Sequence, residues 1–328
     1  MSETILVTGG CGFIGSCFVL QQMKQYPDIH LINFDALTYA GNPDNVKEVA
    51  SDPRYTFVQA DVADRPAVEA VFREYHPTLV VHFAAESHVD RSIDGPDVFV
   101  RTNVLGTQVM LDVARRQWQE DACMDTARFL YISTDEVYGD LPLASTEKFT
   151  ESSPIKPSSP YSVSKAAGDL MAQAYHRTYG MPTLITRSSN NYGPRQYPEK
   201  LIPLTIKKAL AGEPIPVYGD GLNVRDWLYV EDNCRAIDLV LHQGTPGQVF
   251  NVGGNNELSN IDLIHLLLHA LSQQTGTPEE DYTRLITFVP DRPGHDRRYA
   301  LNVTRAHSML DWSTQFSFER QVQCCLVW

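Results

Sequence analysis

Short apolar runs separated by longer amphipathic stretches organise the first 190 residues. The runs are "TILVTG", "HLINFD", "YTFVQAD", "TLVVHFAA", "RFLYIS" and "PTLITRS". They are rich in β-branched and aromatic residues and nearly continuous in apolar character, the pattern of strands covered on both faces. The stretches between them have helical spacing. "FIGSCFVLQQMKQY" puts Phe13, Cys17 and Leu20 on one face, and "PAVEAVFREY" and "VFVRTNVLGTQVMLDVARRQ" follow the same rule. Strand–helix alternation predicts an α/β chain with a doubly wound parallel sheet. After about Asn190 the texture changes. "NNYGPRQYPEKLIP" and "GEPIPVYGDGLNVRDW" are rich in Pro, Gly and Tyr and are expected to be loops over a smaller α/β unit. "VFNVGG" is expected to return to the main sheet as a strand, and "IDLIHLLLHAL" to form a helix. The expected division is 1–189 with returning segments at about 223–253, and a second unit of 190–222 and 254–328.

Composition narrows the field. A chain of 328 residues that is 43% hydrophobic can bury a substantial core. Its formal charge of -13 argues against nucleic acid, which binds through Lys and Arg. No run of eighteen apolar residues predicts a membrane span. "MSETILVTGG" lacks a basic segment followed by an apolar one, so no secretory signal is expected. The cysteines are Cys11, Cys17, Cys123, Cys234, Cys324 and Cys325; none forms a C-x-x-C pair and no His cluster suggests a metal. Reduced thiols and a cytoplasmic location are expected, with a strained Cys324–Cys325 disulfide as the minor alternative.

Two motifs carry chemistry. Gly9, Gly12 and Gly15 give G-x-x-G-x-x-G between a strand and a helix. Gly9 and Gly12 permit a tight turn and close approach of backbone to a pyrophosphate, and Gly15 lets the helix pack on the strand. Asp35 follows at the end of the second strand, where a carboxylate holds ribose hydroxyls and repels a 2′-phosphate, so NAD is expected over NADP. Asp61 and Val62 end the third strand and suit adenine; for Asp61, capping of the next helix is the equal alternative. "PYSVSKAAGDLM" sets Tyr161 and Lys165 four apart on one helical face, where the lysine is expected to lower the phenol's pKa. "YISTDEVYG" then places Asp135 and Glu136 side by side where a buried strand surfaces. Two adjacent acids in such a place are costly unless one is protonated and the other ionised.

These motifs together resemble the extended short-chain dehydrogenase/reductase family, with its Rossmann fold. Within it, "STDEVYGD", "LTYAGN", "AAESHVDRSI", "SNNYGP", "PEKLIP", "RDWLYVED" and "DRPGHDRRYA" resemble the dTDP-glucose 4,6-dehydratase branch, from about residue 4 to about residue 312. The resemblance implies that 1–189 binds NAD and that the second unit binds the nucleotide sugar. It implies catalysis by Thr134, Tyr161 and Lys165, which oxidise the sugar at C4, with Glu136 as base at C5 and Asp135 as acid for the 6-hydroxyl. The cofactor site it implies adds Phe13, Ile14, Thr38 and Ala84 to Gly9, Gly12, Gly15, Asp35, Asp61 and Val62, with Tyr161 and Lys165 shared. For the substrate it implies Ser87, His88, Thr134, Asn190, Lys200, Leu201 and Pro216. It further implies Tyr218 stacked on the base, Arg225 and Arg292 on the diphosphate, and Asn260, His295 and Tyr299. For Lys200, at the start of the helical stretch "EKLIPLTIKKALAG", a solvated face is the lesser alternative, and Asn103 is as readily structural as functional. Relatives pair the helices around 97–117 and 161–179 into a four-helix bundle, so a homodimer is implied. They also continue beyond "LDWSTQFSFERQVQ" into a longer helix, whereas this sequence ends "CCLVW"; the chemistry is expected to survive and the tail packing to suffer.

Three rivals stand beside this reading. One is a UDP-glucose 4,6-dehydratase. Another is a nucleotide-sugar epimerase or decarboxylase; epimerases lack the carboxylate pair and similar decarboxylases show Ser-Glu there. The last is a silent NAD-binding regulator, which would have no need of all five catalytic residues.

Overall fold

The structure, a computed structural model, describes residues 3–327. In chain order the strands are β1 (Thr4–Thr8), β2 (His30–Asp35), β3 (Tyr55–Gln59), β4 (Leu79–His82), β5 (Arg128–Thr134) and β6 (Thr183–Ser188). They continue with β7 (Asn190–Tyr192), β8 (Ile215–Tyr218), β9 (Val224–Tyr229), β10 (Val249–Val252), β11 (Glu257–Ser259) and β12 (Ile286–Val289). Seven form one parallel sheet in the order β10-β6-β5-β4-β1-β2-β3. The order reverses between β1 and β4, which opens a crevice at the carboxyl ends of the strands.

Period-two alternation fills both faces. From β1, Ile5 and Val7 enter one core cluster and Leu6 the other; from β4, Leu79 and Val81 divide from Val80 in the same way. Helices Phe13–Gln25 and Val230–Gln243 cover the first face through Phe18, Ile237 and Val240. Helices Arg65–Tyr75 and Thr107–Glu120 cover the second through Phe72, Val109 and Trp118. Burial of each such side chain contributes roughly 1.5–3 kcal/mol. The alternation read from the sequence is therefore the architecture of the first unit.

The smaller unit departs from the expected loops. "GEPIPVYGDGLNVRDW" contains β8 and the first four residues of β9, and β7 lies in the first Pro/Gly-rich stretch. These strands escaped notice because they are short and broken by turn residues. Pro216 sits in β8, whose sheet is only the pair β12-β8; a two-stranded sheet is all edge, where proline is tolerated. β9 pairs with β7 and β11, so within 223–253 it is the helix Val230–Gln243 and β10 that join the large sheet. Helix Asn260–Thr275 feeds Leu263 and Leu267 to one small core and Ile264, Leu268 and Leu271 to another. The last helix, Phe318–Cys324, adds Phe318 and Val322 to the core of Tyr192 and Trp227, so the described part of the tail is packed. Trp328 of the "CCLVW" ending lies outside the described residues. Among the described residues no helix is long and apolar enough to cross a membrane.

Candidate active site

A cavity of about 420 Å³ opens at the crevice between β1 and β4. Gly9, Gly12, Phe13, Ile14 and Gly15 form its floor. Gly9 has φ +73°, and a Cβ there would lie 2.8 Å from the Ala84 nitrogen. A Cβ on Gly15 would overlap the Gly9 carbonyl. Gly12 differs: its Cβ would make one tight contact, 3.3 Å to the Gly9 oxygen, and meet nothing else within 4 Å. The helix it starts has no side-chain N-cap among the described residues, which leaves its first N–H groups for an anion. Asp35 is buried; Leu37 N and Cys11 N donate to its two oxygens at 2.8 and 2.9 Å, while burial raises its pKa. Thr38, Asp61, Val62 and Ala84 complete this end. Asp61 accepts from Ala63 N at 2.8 Å and pairs with Arg101 at 3.1 Å. The cap of the following helix is Asp64, not Asp61, which removes the capping alternative. The glycine lining, the uncapped helix and the buried acid fit a dinucleotide.

Thr134, Asp135, Glu136, Tyr161 and Lys165 line the same cavity. β5 ends at Thr134 and turns at once into a short 3-10 helix that carries both acids. Asp135 is 2% exposed. Thr134 Oγ1 donates to its Oδ1 at 3.2 Å, and its Oδ2 has no hydrogen-bond partner among the described residues. Burial, then the neighbouring Glu136 charge, pushes the Asp135 carboxyl well above its ordinary range. Burial raises Glu136 as well, but Arg292, Arg225 and Lys200 all pull it back down. The two acids are thus held unequally: Asp135 favours its proton, and Glu136 has three cations to stabilise its charge.

The tyrosine–lysine pair behaves differently from the expectation. Helix Pro160–Tyr179 starts at a Ser159–Ser162 capping box and does present both residues to the cavity. Lys165 Nζ, however, donates to the Ile132 carbonyl at 2.6 Å and lies 4.4 Å from the Tyr131 ring centroid. Burial pushes its pKa down to about 7. Burial and the charges of Glu136, Tyr131 and Asp135 raise Tyr161 well above 10.0 instead of lowering it. Spacing on a helix puts two residues on one face; it does not set where a four-carbon stem ends. Beneath them Asp169 and Arg187 form a fully buried pair at 2.8 Å that fixes the helix to β6.

The residues expected at the substrate divide. Ser87, Thr134, Asn190 and Lys200 line the cavity, and Lys200 Nζ donates to the Ser87 carbonyl at 3.2 Å rather than facing solvent. His88, Leu201, Pro216, Tyr218, Arg225, Asn260, Arg292, His295 and Tyr299 lie outside its lining. His88 accepts from Arg91 N and sits 3.5 Å from Glu199. Arg225 lies over Tyr299 and donates to the carbonyls of Val224 and Asp296, so much of its fork is already engaged. Arg292 donates to Asp90 at 3.0 Å; its Nε is buried and unpartnered among the described residues. Tyr218 donates to the other Asp90 oxygen and packs edge-on against His295. Asn260 begins its helix directly after β11, its N–H donating to the Asn223 carbonyl at 3.0 Å, and Pro216 lies within β8. Asn103 is structural: it is buried and bonds both Glu86 backbone groups and Ser164.

The profile of the GDP-mannose 4,6 dehydratase family matches residues 6–324. The chain belongs to that family. It is 49% identical to the dTDP-glucose 4,6-dehydratase of Xanthomonas campestris over 99% of this chain and 92% of that one. The dTDP-glucose 4,6-dehydratase of Streptomyces venezuelae, solved with NAD bound, superposes with TM-score 0.91 at 45% identity, covering 99% of this chain and 96% of that one. The UDP-glucose 4-epimerase of Thermotoga maritima superposes with TM-score 0.86 at 28% identity, covering 99% and 98%. Dehydratases and epimerases therefore share the scaffold, and the discrimination lies in the site.

Cavity residues missed from the sequence of this family member include Tyr39, Glu86, Arg101, Tyr197 and Glu199. Arg101 comes from a π-helical stretch, Val100–Gly106, which no residue pattern announces. Tyr39 and Glu199 sit in motifs that carry the family resemblance, so a signal existed but no chemistry was attached to it.

Proposed function

We propose that this chain dehydrates dTDP-glucose to dTDP-4-keto-6-deoxyglucose, with NAD held in the cavity and regenerated in each cycle. One observation carries the reading: the Asp135–Glu136 pair stands in the same cavity as Thr134, Tyr161 and Lys165. Oxidising an alcohol and reducing it again needs only the last three. Removing water from the neighbouring carbons needs one more acid and one more base.

Bound NAD supplies an acceptor that takes the C4 hydride and returns it at C6, and a positive charge that favours the Tyr161 phenolate. Gly12 and the first N–H groups of its helix would hold the pyrophosphate, and Asp35 the ribose hydroxyls, where its charge would disfavour a 2′-phosphate. Tyr161 takes the proton of the 4-hydroxyl, with Thr134 donating to the same oxygen. The resulting C4 carbonyl acidifies the C5 hydrogen, which Glu136 removes. Asp135 protonates the 6-hydroxyl, which departs as water, leaving a C5–C6 double bond. A hydride at C6 and a proton at C5 complete the product with no net redox change. Each acid–base role contributes roughly 10²–10⁴ in rate.

The nucleotide half falls to the second unit, 190–222 and 254–328, where Arg292 and Lys200 offer cations to the diphosphate. A second copy docks on the helical column 97–120 and on helix Pro160–Tyr179. Val98, Val100, Leu105, Val163 and Leu170 remain 45–55% exposed there, an apolar face that a homodimeric four-helix bundle would cover. The cytoplasm suits this chemistry and the free thiols of all six cysteines. The test is product mass. The keto sugar formed from dTDP-glucose must be lighter by one water, and turnover of dTDP-glucose must exceed that of UDP-glucose. An epimer of unchanged mass would refute the reading.

A further inference from the structure

Tyr39 in "LTYAGN", Arg91 in "AAESHVDRSI" and Glu199 in "PEKLIP" take no part in the reaction as derived. They come from three separate segments: the turn after β2, helix Val89–Asp94, and the run before helix Leu201–Ala211. The fold brings them together at the cavity wall. The guanidinium carbon of Arg91 lies 3.9 Å from the Tyr39 ring centroid. Arg91 Nη2 is 3.5 Å from Glu199 Oε2, and His88 Nε2 approaches the same oxygen at 3.5 Å. Tyr197 meets the Tyr39 ring edge-on with centroids 5.4 Å apart. Nearby, Arg195 reaches Glu48 at 3.3 Å, a second tie between the same two segments of chain.

The order of layers matters. Tyr39, Tyr197 and Glu199 line the cavity, whereas Arg91 does not, and its side chain is 50% exposed. The Tyr39 ring therefore stands between the cavity and solvent, with Arg91 pressed on its outer side. Opening this wall means separating a cation from a ring, two rings from one another and a carboxylate from its cation.

We propose that Tyr39, Arg91 and Glu199 form a clasp that keeps NAD in the cavity between oxidation at C4 and hydride return at C6. The inference rests on the proposed dehydratase function. A dehydrogenase with net redox must exchange its cofactor every turnover. An enzyme that takes a hydride and gives it back must not, because losing the reduced cofactor strands a keto sugar that cannot be completed. A clasp built from three separate segments meets that requirement, because the wall cannot open by moving any one of them alone.

The test follows loss of cofactor rather than activity. Holoenzyme is diluted into NAD-free buffer containing an enzyme that destroys free NAD, and the dinucleotide still bound is measured by chromatography over time. Tyr39→Ala should lose NAD about tenfold faster than wild type, from the combined loss of the cation–π and aromatic contacts. Tyr39→Phe should lose it at close to the wild-type rate. Arg91→Met should be several-fold faster than wild type, and Tyr39→Ala/Arg91→Met faster than Tyr39→Ala by less than that factor, since the cation then has no ring to cover and only its pair with Glu199 is left to lose. A purely structural role would lower melting temperature and give additive effects. Loss from Tyr39→Ala at the wild-type rate, or additive effects in the double variant, overturns the clasp. If Tyr39→Ala does not fold, Arg91→Met, at an exposed position, decides alone: wild-type loss overturns the proposal. Wild-type protein that purifies with no dinucleotide at all overturns the clasp together with the reading beneath it.

Discussion

Replacing Asp135 by Asn should separate two steps that the wild-type enzyme runs together. The amide keeps the shape of the carboxyl and can still accept from Thr134 Oγ1 at the Oδ1 position. Its NH2 group takes the place of the unpartnered Oδ2 and has no proton to transfer. Loss of a positioned general acid lowers the rate about 10²–10⁴-fold, which corresponds to about 2.7–5.4 kcal/mol in the barrier. Glu136 is untouched, so the C5 proton should still exchange. The assay is incubation with dTDP-glucose in D2O, reading deuterium at C5 and water loss by mass spectrometry on the same samples. Exchange should persist while dehydration falls by at least a hundredfold. Dehydration within tenfold of wild type, or loss of both signals together, would refute the assignment. Stability provides an independent check. The Asp135 carboxyl titrates higher in the fold than when unfolded. Its contribution is complete in acid and falls as pH rises toward the folded value, so at about pH 8 the wild type carries a penalty that the Asn variant lacks. The variant should melt at or above wild type there, and the gap should narrow as the pH falls toward about 5.

Further outcomes follow from the same geometry. Glu136→Gln should abolish both C5 exchange and dehydration while leaving the oxidation step, so that bound NADH accumulates on adding substrate; its absorbance reports this. Gly12→Ala should fold and lose NAD affinity, because the added methyl has a single tight contact, 3.3 Å to the Gly9 oxygen, whereas Gly9→Ala should lower the melting temperature through its φ of +73° and the contact with Ala84. A left-handed alanine costs roughly 1–2 kcal/mol before any clash is counted. In cofactor-stripped protein, burial holds Lys165 at about 7, below its unfolded value of 10.5. The unfolded chain binds the extra proton between these values, so stability rises with pH across that window. Lys165→Met should therefore be more stable than wild type below about pH 7, with the advantage fading toward about pH 10, by thermal melts across the range.

The large sheet was legible because its strands other than the edge strand β3 are largely buried on both faces and its helices on one, so hydrophobicity records most of them. β7, β8 and β9 were not, because they are short and hold their place in the small sheets by tertiary packing on helix Asn260–Thr275. Gly9, Gly12, Gly15 and Asp35, which line the cavity, could be put forward as candidates from the sequence since a turn and a strand end fix them locally. Asp61 could not be told from a cap until Asp64 was seen in that role. Lys165 was placed on the right face but its ammonium crosses to the Ile132 carbonyl, a partner on another element. Tyr39, Arg91 and Glu199 have no local spacing that joins them; only the closed fold does.

The most direct test of the central claim follows one hydrogen. A mixture of dTDP-glucose deuterated at C4 and undeuterated dTDP-[13C6]glucose, turned over in water, should give a 6-deoxy product in which the deuterium sits at C6 of the 12C molecules alone. Deuterium washed into solvent, retained at C4 or shared with the 13C product would contradict the account.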